Sequence, residues 1–87
     1  MPKQKEQSKV KPVHEIKLSR LVAAIWRNEN KDSAWYNVTF ERSYRDEEEL
    51  KSSQSFGRDD LLLLAKIANE AHSLIFALQR EERAAQD

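Results

Sequence analysis

The stretch SFGRDDLLLLAK, residues 55–66, holds the only glycine of the chain, then two aspartates, then four consecutive leucines. It reads as a junction. A strand ends at Phe56, the chain turns at Gly57, and a helix begins. Asp59 suits the N-cap, because its carboxylate accepts hydrogen bonds from the free amides of the first turn, and Asp60 adds negative charge at the positive end of the helix dipole. Gly57 is expected to take a backbone conformation that other residues disfavour.

From Asp59 to about Arg83 the apolar period is helical, with no Gly or Pro inside. Leu61, Leu64, Ala65, Ala68, His72 and Ile75 form one stripe, read here as facing the sheet. Leu63, Ile67, Ala71, Leu74 and Leu78 form a second. Together they are about twice as wide as the roughly 100° that a helix covering a small sheet requires. The second stripe therefore needs another surface, and a symmetric partner subunit is the simplest one, so a helix-mediated homodimer is expected.

Upstream the period is two. Residues 16–27, IKLSRLVAAIWR, form a strand, NENKDS a polar turn, and residues 34–45, AWYNVTFERSYR, an alternating strand. DEEE is a second turn and residues 50–56, LKSSQSF, a short strand. A loop over residues 28–33 sets Arg27 opposite Ala34. Leu21, Ala23 and Ile25 then share a core face with Tyr36, Val38 and Phe40, while Trp26 meets Trp35 on the other face. Pairing Tyr44 with Leu50 puts Phe56 in the core and Lys51, Ser53 and Ser55 on the outer face. Ile16 and Leu18 are out of phase with Leu21, so a bend near Ser19–Arg20 is expected, and it splits the first strand if sharp enough. The fold class is α+β: an antiparallel sheet of three to four strands followed by one long C-terminal helix.

Eighty-seven residues allow one domain with a thin core. Residues 1–14 read as a disordered basic tail and residues 15–87 as a single β-β-β-(β)-α domain. The net charge of zero conceals a gradient: +3 over residues 1–14, +2 over 15–45, and −5 over 46–87. With no cysteine, disulfides and thiolate metal sites are excluded, and a cytoplasmic location is the simpler expectation. No secretory signal and no membrane-spanning segment is read, and no membrane partner is expected.

Catalytic signatures are weak. His14 and His72 stand far apart and outside any metal-ligand spacing, and His72 reads as a partly buried side chain. Asp59 and Asp60 read as capping groups, and one glycine cannot build a phosphate loop. No catalytic residue, metal, cofactor or small-molecule substrate is assigned. The outer sheet face is more informative. It offers Trp26 and Trp35, with Ala24, Asn37, Thr39, Ser53 and Ser55 between them, and Lys17, Arg20, Arg27, Arg42, Arg45 and Lys51 near its edges or ends. Aromatic rings stack on bases, and hydroxyls, amides and cations suit phosphates. The same tryptophan pair suits a cross-strand clasp or a second small core.

In this order, "KLSRLVAAIW", "WYNVTFERSY", an acidic turn, "KSSQSF" and a long helix, the chain resembles the transcriptional positive cofactor four family and, more distantly, the Whirly binders of single-stranded DNA. "AAIWRNE", "YNVTFERSYRD" and "SFGRDDLLLLAK" are also similar to a family of small bacterial proteins often carried near mobile elements. The first resemblance implies a dimer joined through its helices and single-strand binding across the sheet, in transcription or replication. Carried onto this sequence, it implicates Lys17, Arg20, Trp26, Asn37, Thr39 and Lys51, with the tail lysines Lys3, Lys5, Lys9 and Lys11 in support. With the residues read above, the expected nucleic-acid site is Lys17, Arg20, Trp26, Arg27, Trp35, Asn37, Thr39, Lys51 and Ser53. The rival expectation is an adaptor or inhibitor of a host protein that docks through the tryptophan-bearing face.

Overall fold

A computed structural model describes residues 11–86, apart from the side chain of Gln86. Four strands, β1 (His14–Leu18), β2 (Leu21–Glu29), β3 (Ala34–Asp46) and β4 (Glu49–Ser53), form an antiparallel meander in the order 1-2-3-4, and helix α1 (Arg58–Gln86) follows. The expected α+β class is the one observed. The first ten residues, with Lys3, Lys5 and Lys9, lie outside the described residues. The sheet starts inside the segment read as tail, since His14 pairs with Ile25 and the Val13 amide donates to the Ile25 carbonyl at 2.8 Å.

The bend expected at Ser19–Arg20 is a full reversal that separates β1 from β2. Leu18 pairs with Leu21, and Ser19 sits at φ 58°. This puts Ile16 and Leu18 on the same face as Ala23 and Leu21. Glu47, first residue of the two-residue turn between β3 and β4, has φ 59°. Both are positions where a two-residue hairpin needs positive φ, which a side chain adopts at a cost of roughly 1–2 kcal/mol.

The β2–β3 loop is Asn30–Ser33, shorter than the six residues expected. Asn30 Oδ1 accepts the amide hydrogens of Asp32 and Ser33 at 2.9 and 2.8 Å, closing an Asx-type turn that lets the strands run to Glu29 and Ala34. The register is therefore displaced by two from the sequence expectation: Ile25 meets Val38, Ala23 meets Phe40, and Trp26 meets Asn37 rather than Trp35. An even displacement preserves the faces, so the core assignment survives. At β4 the displacement is one. Tyr44 pairs with Lys51, not Leu50, because the turn contains only Glu47 and Glu48. An odd displacement exchanges faces, and Lys51 and Ser53 go to the helix side of the sheet instead of the outer side.

The core comprises Leu21, Ala23, Ile25, Ile67 and Ala71, with Ile16, Leu18, Val38, Phe40, Phe56, Leu63 and Leu64 packed around Leu21, Ala23 and Ile67. The stripe expected to form the dimer interface is thus the one turned to the chain's own sheet. Ile67 and Ala71 are 0% and 1% exposed, and Leu63, Leu74 and Leu78 are half-buried on the same side. Of the stripe assigned to the sheet, Leu61, Ala65 and His72 are exposed, while Leu64, Ala68 and Ile75 are half-buried, Leu64 against the core.

What rotates the helix is its first turn. Asp60, not Asp59, is the capping residue. Its Oδ2 accepts the Gly57 amide at 3.1 Å while the Asp60 amide donates to the Gly57 carbonyl at 3.0 Å, a reciprocal cap with Gly57 at the N-cap and Asp60 three residues on. Asp60 is buried, and Arg20 and Arg42 reach its carboxylate at 3.4 and 3.7 Å. Asp59 is exposed beside Arg58. Gly57 does not have positive φ, and a Cβ there would meet Asp60 Oδ2 at an ordinary 3.7 Å. Its expected left-handed role is therefore absent, and a free amide for Asp60 is what the position supplies.

α1 contains an 18-residue stretch of mean hydropathy 1.5, long and apolar enough to cross a membrane by length and composition, contrary to the sequence reading. In this fold it lies along the sheet, mostly exposed.

Asp60→Ala is expected to destabilise by about 1–3 kcal/mol in denaturant unfolding, through the lost cap and two arginines left without their carboxylate. Asp59→Ala should stay within about 0.5 kcal/mol, and Gly57→Ala should cost no more than about 1 kcal/mol.

Candidate nucleic-acid interface

Alternation along β2 sends Leu21, Ala23 and Ile25 under the helix and Val22, Ala24, Trp26 and Asn28 to the opposite side, where they meet Glu41, Thr39, Asn37 and Trp35. No described element covers this outer face. Trp26 is half-buried in a pocket of about 240 Å³ shared with Pro12, Val22 and Ala24 and rimmed by Glu15 and Glu41. Its Nε1 donates to Thr39 Oγ1 at 3.0 Å, which fixes the indole plane, and Asn28 Nδ2 donates to Asn37 Oδ1. Trp35, 46% exposed, stands beside Asn28 and diagonal to Trp26. Lys17, opposite Val22, completes the group.

Five of the nine expected residues, Lys17, Trp26, Trp35, Asn37 and Thr39, are thus together on one face. The other four are not. Arg20 lies in the β1–β2 turn and turns its guanidinium toward Asp60. Lys51 and Ser53 are on the helix side because of the one-residue register difference. Lys51 Nζ lies 3.1 Å from Asp46 and 3.8 Å from Glu49, and Ser53 Oγ accepts the Ser55 amide at 3.0 Å. Arg27 also points to the helix, where it donates to Glu82 and, at 2.8 Å, to Glu29.

Around Arg27 the carboxylate of Glu82 is held below its usual range by the Arg27 hydrogen bond and then by that of Tyr36. The Tyr36 phenol is pushed up, first by burial and then by Glu82, and the Arg27 guanidinium is raised by its two carboxylate partners. This cluster ties the end of the helix to β2 and β3 and is structural.

Two cations that alternation alone could have assigned turn out to matter. Arg42 is on the helix side, donating Nε to the Ser55 carbonyl at 2.8 Å and lying 5.7 Å from the Tyr44 ring centroid. Arg45, opposite Leu50, is on the outer face. The Ser43 amide donates to the Arg20 carbonyl at 2.8 Å, which draws the β1–β2 turn against β3. Lys17, Arg20 and Arg45 thereby line one open cleft of about 550 Å³, together with Ser19 and Ser43.

Among the described residues no cluster of three or more histidine, aspartate or glutamate side chains is placed to hold a metal ion. Comparison with protein-family models, curated proteins and solved structures finds no match to this chain.

The depressed Glu82 carboxylate contributes stability above the ordinary carboxylate range, and that contribution is lost as the pH falls through its lowered value. Glu82→Gln is therefore expected to lower the melting temperature at neutral pH. The difference from wild type should vanish well below about pH 4, as followed by circular dichroism.

Proposed function

We propose that the protein binds single-stranded nucleic acid, DNA in the first instance, on the outer face of its sheet and catalyses nothing. The observation that carries this reading is that both tryptophans lie on the one sheet face the helix leaves uncovered, Trp26 held in plane by Thr39. A fixed indole is a stacking platform for any unpaired base, while Asn37 and the rim carboxylates of Glu15 and Glu41 are suited to base edges rather than phosphates. A cytoplasmic setting fits this role.

On this reading the chain works as a homodimer, through a different helix face from the one first expected. Leu61, Ala65, His72 and Phe76 are all exposed, Leu61 and Phe76 by 50% and 59%. Their spacing of four, seven and four residues reads the same in both directions. An antiparallel two-fold therefore sets Leu61 of each chain on Phe76 of the other and Ala65 on His72, with the helix dipoles opposed. Exposed apolar side chains in such a self-complementary row suit a second copy. Leu61→Asp combined with Phe76→Asp should convert a dimer to a monomer in sedimentation at micromolar concentration. A monomeric wild type would refute the dimer.

The rival is a protein adaptor, favoured by the balance of Glu15 and Glu41 against Lys17 and Arg45 on the same face. Trp26→Ala or Trp35→Ala should weaken oligonucleotide binding by about 1–3 kcal/mol each, read by fluorescence quenching. Duplex should bind more weakly than a single strand. A wild type that binds no oligonucleotide even at low salt would sink the proposal and leave the adaptor, with the same tryptophans as its anchor.

A further inference from the structure

Most arginines of the described sheet and turns are already occupied. Arg27 holds Glu29 and Glu82, and Arg20 and Arg42 share Asp60. Lys51, the one lysine of β4, is likewise claimed by Asp46 and Glu49. The cleft between the β1–β2 turn and the end of β3 departs from this pattern. It gathers Lys17, Arg20 and Arg45 with no carboxylate among its lining residues. Among the described residues Lys17 and Arg45 make no ion pair, and Arg20, whose side chain is 55% exposed, pairs with Asp60 at 3.4 Å. Ser19 and Ser43 line the same cleft. In a chain of zero net charge, two cations without a carboxylate partner, beside an exposed arginine and two serines in a concave site, make a local anion trap.

We infer that this cleft is a phosphate-binding site. Resting on the reading above, it seats a backbone phosphate of the bound strand and leaves the bases to the tryptophans. Lys17 and Arg45 project from the same face as Trp26 and Trp35, on neighbouring strands, so one extended strand can engage both. The cleft lies at the Leu21 end of β2 and Trp26 toward the other end. Phosphate and base contacts are thus displaced along the sheet, which orients the bound strand.

Two titrations test the inference separately from the nucleic-acid reading. The first adds inorganic phosphate to the full chain against chloride at equal ionic strength, following backbone amide shifts. Saturable shifts are expected at Ser19, Ser43 and Arg45, and they should be absent in the Lys17→Gln, Arg45→Gln double variant. Neither side chain holds a carboxylate in the fold, and an unchanged melting temperature verifies that the variant folds. No phosphate-specific shift in the cleft overturns the inference, whatever the oligonucleotide does.

The second titration compares oligonucleotide binding at several salt concentrations. The double variant should flatten the slope of log affinity against log salt by about 0.7, as expected for one lost phosphate contact on a single strand. It should leave the tryptophan quenching at saturation unchanged. Binding with an unchanged salt slope rejects the cleft and keeps the nucleic-acid reading. Phosphate shifts without any oligonucleotide binding keep the cleft and reject that reading.

Discussion

The carboxylate of Asp60 is the constraint on which the arrangement of this protein depends. It is the one buried charged side chain among the described residues, and three otherwise separate pieces converge on it: the amide of Gly57, Arg20 of the first turn, and Arg42 of β3. A buried carboxylate is tolerable only when hydrogen-bonded and paired, and removing its partners is far more damaging than never having had it. The contacts also act as a geometric pin. With Asp60 turned to the sheet, positions 67 and 71 must follow onto the same side of the helix, and they are the helix residues most deeply buried. At the far end Glu82, on the same side again, meets Arg27 and Tyr36. The helix is thus fixed in rotation by charged contacts at both ends and filled with small and branched apolar groups between them.

That pin explains which parts of the fold were legible in the sequence. Element order, the split at Ser19–Arg20 and the core face of β2 and β3 follow from periodicity and from side chains out of phase, both properties of the local chain. Helix rotation does not. Two adjacent apolar stripes of similar character lie on α1, and hydrophobic pattern alone is nearly indifferent between them. The choice is made by contacts distant in sequence, from Arg20 and Arg42 to Asp60. Strand registers show the same division. The β2–β3 pairing was displaced by two, which period-two side chains forgive. The β3–β4 pairing differs from the expected register by one, which they do not, so Lys51 and Ser53 lie on the face opposite to the expected one. The tight turn responsible places Glu47 at positive φ, where glycine or asparagine is the usual signal, and that signal is missing here.

The candidate site divides along a similar line. Aromatic and amide residues of the outer face were recoverable from alternation, since Trp26, Trp35, Asn37 and Thr39 need only the correct parity. The cations were not, because a count of basic residues does not say which of them are already neutralised. Of the expected cations in the strands and turns, Arg20, Arg27 and Lys51 are engaged by carboxylates, while Lys17 and, beyond the expected set, Arg45 make no ion pair among the described residues. A zero net charge is therefore compatible with a locally positive site where two cations lie together without a carboxylate among the lining residues.

Arg20 belongs to both halves of this architecture, lining the cleft and completing the environment of Asp60. Its side chain is the more exposed of the two arginine partners, 55% against 22% for Arg42, which is also held by the Ser55 carbonyl and the Tyr44 ring. An anion in the cleft competes with Asp60 for Arg20. Because Arg42 and the Gly57 amide remain, the buried carboxylate does not lose all its partners when Arg20 turns toward the cleft. The redundancy at Asp60 is what allows one residue of the structural cluster to face a ligand without endangering the helix it helps to anchor.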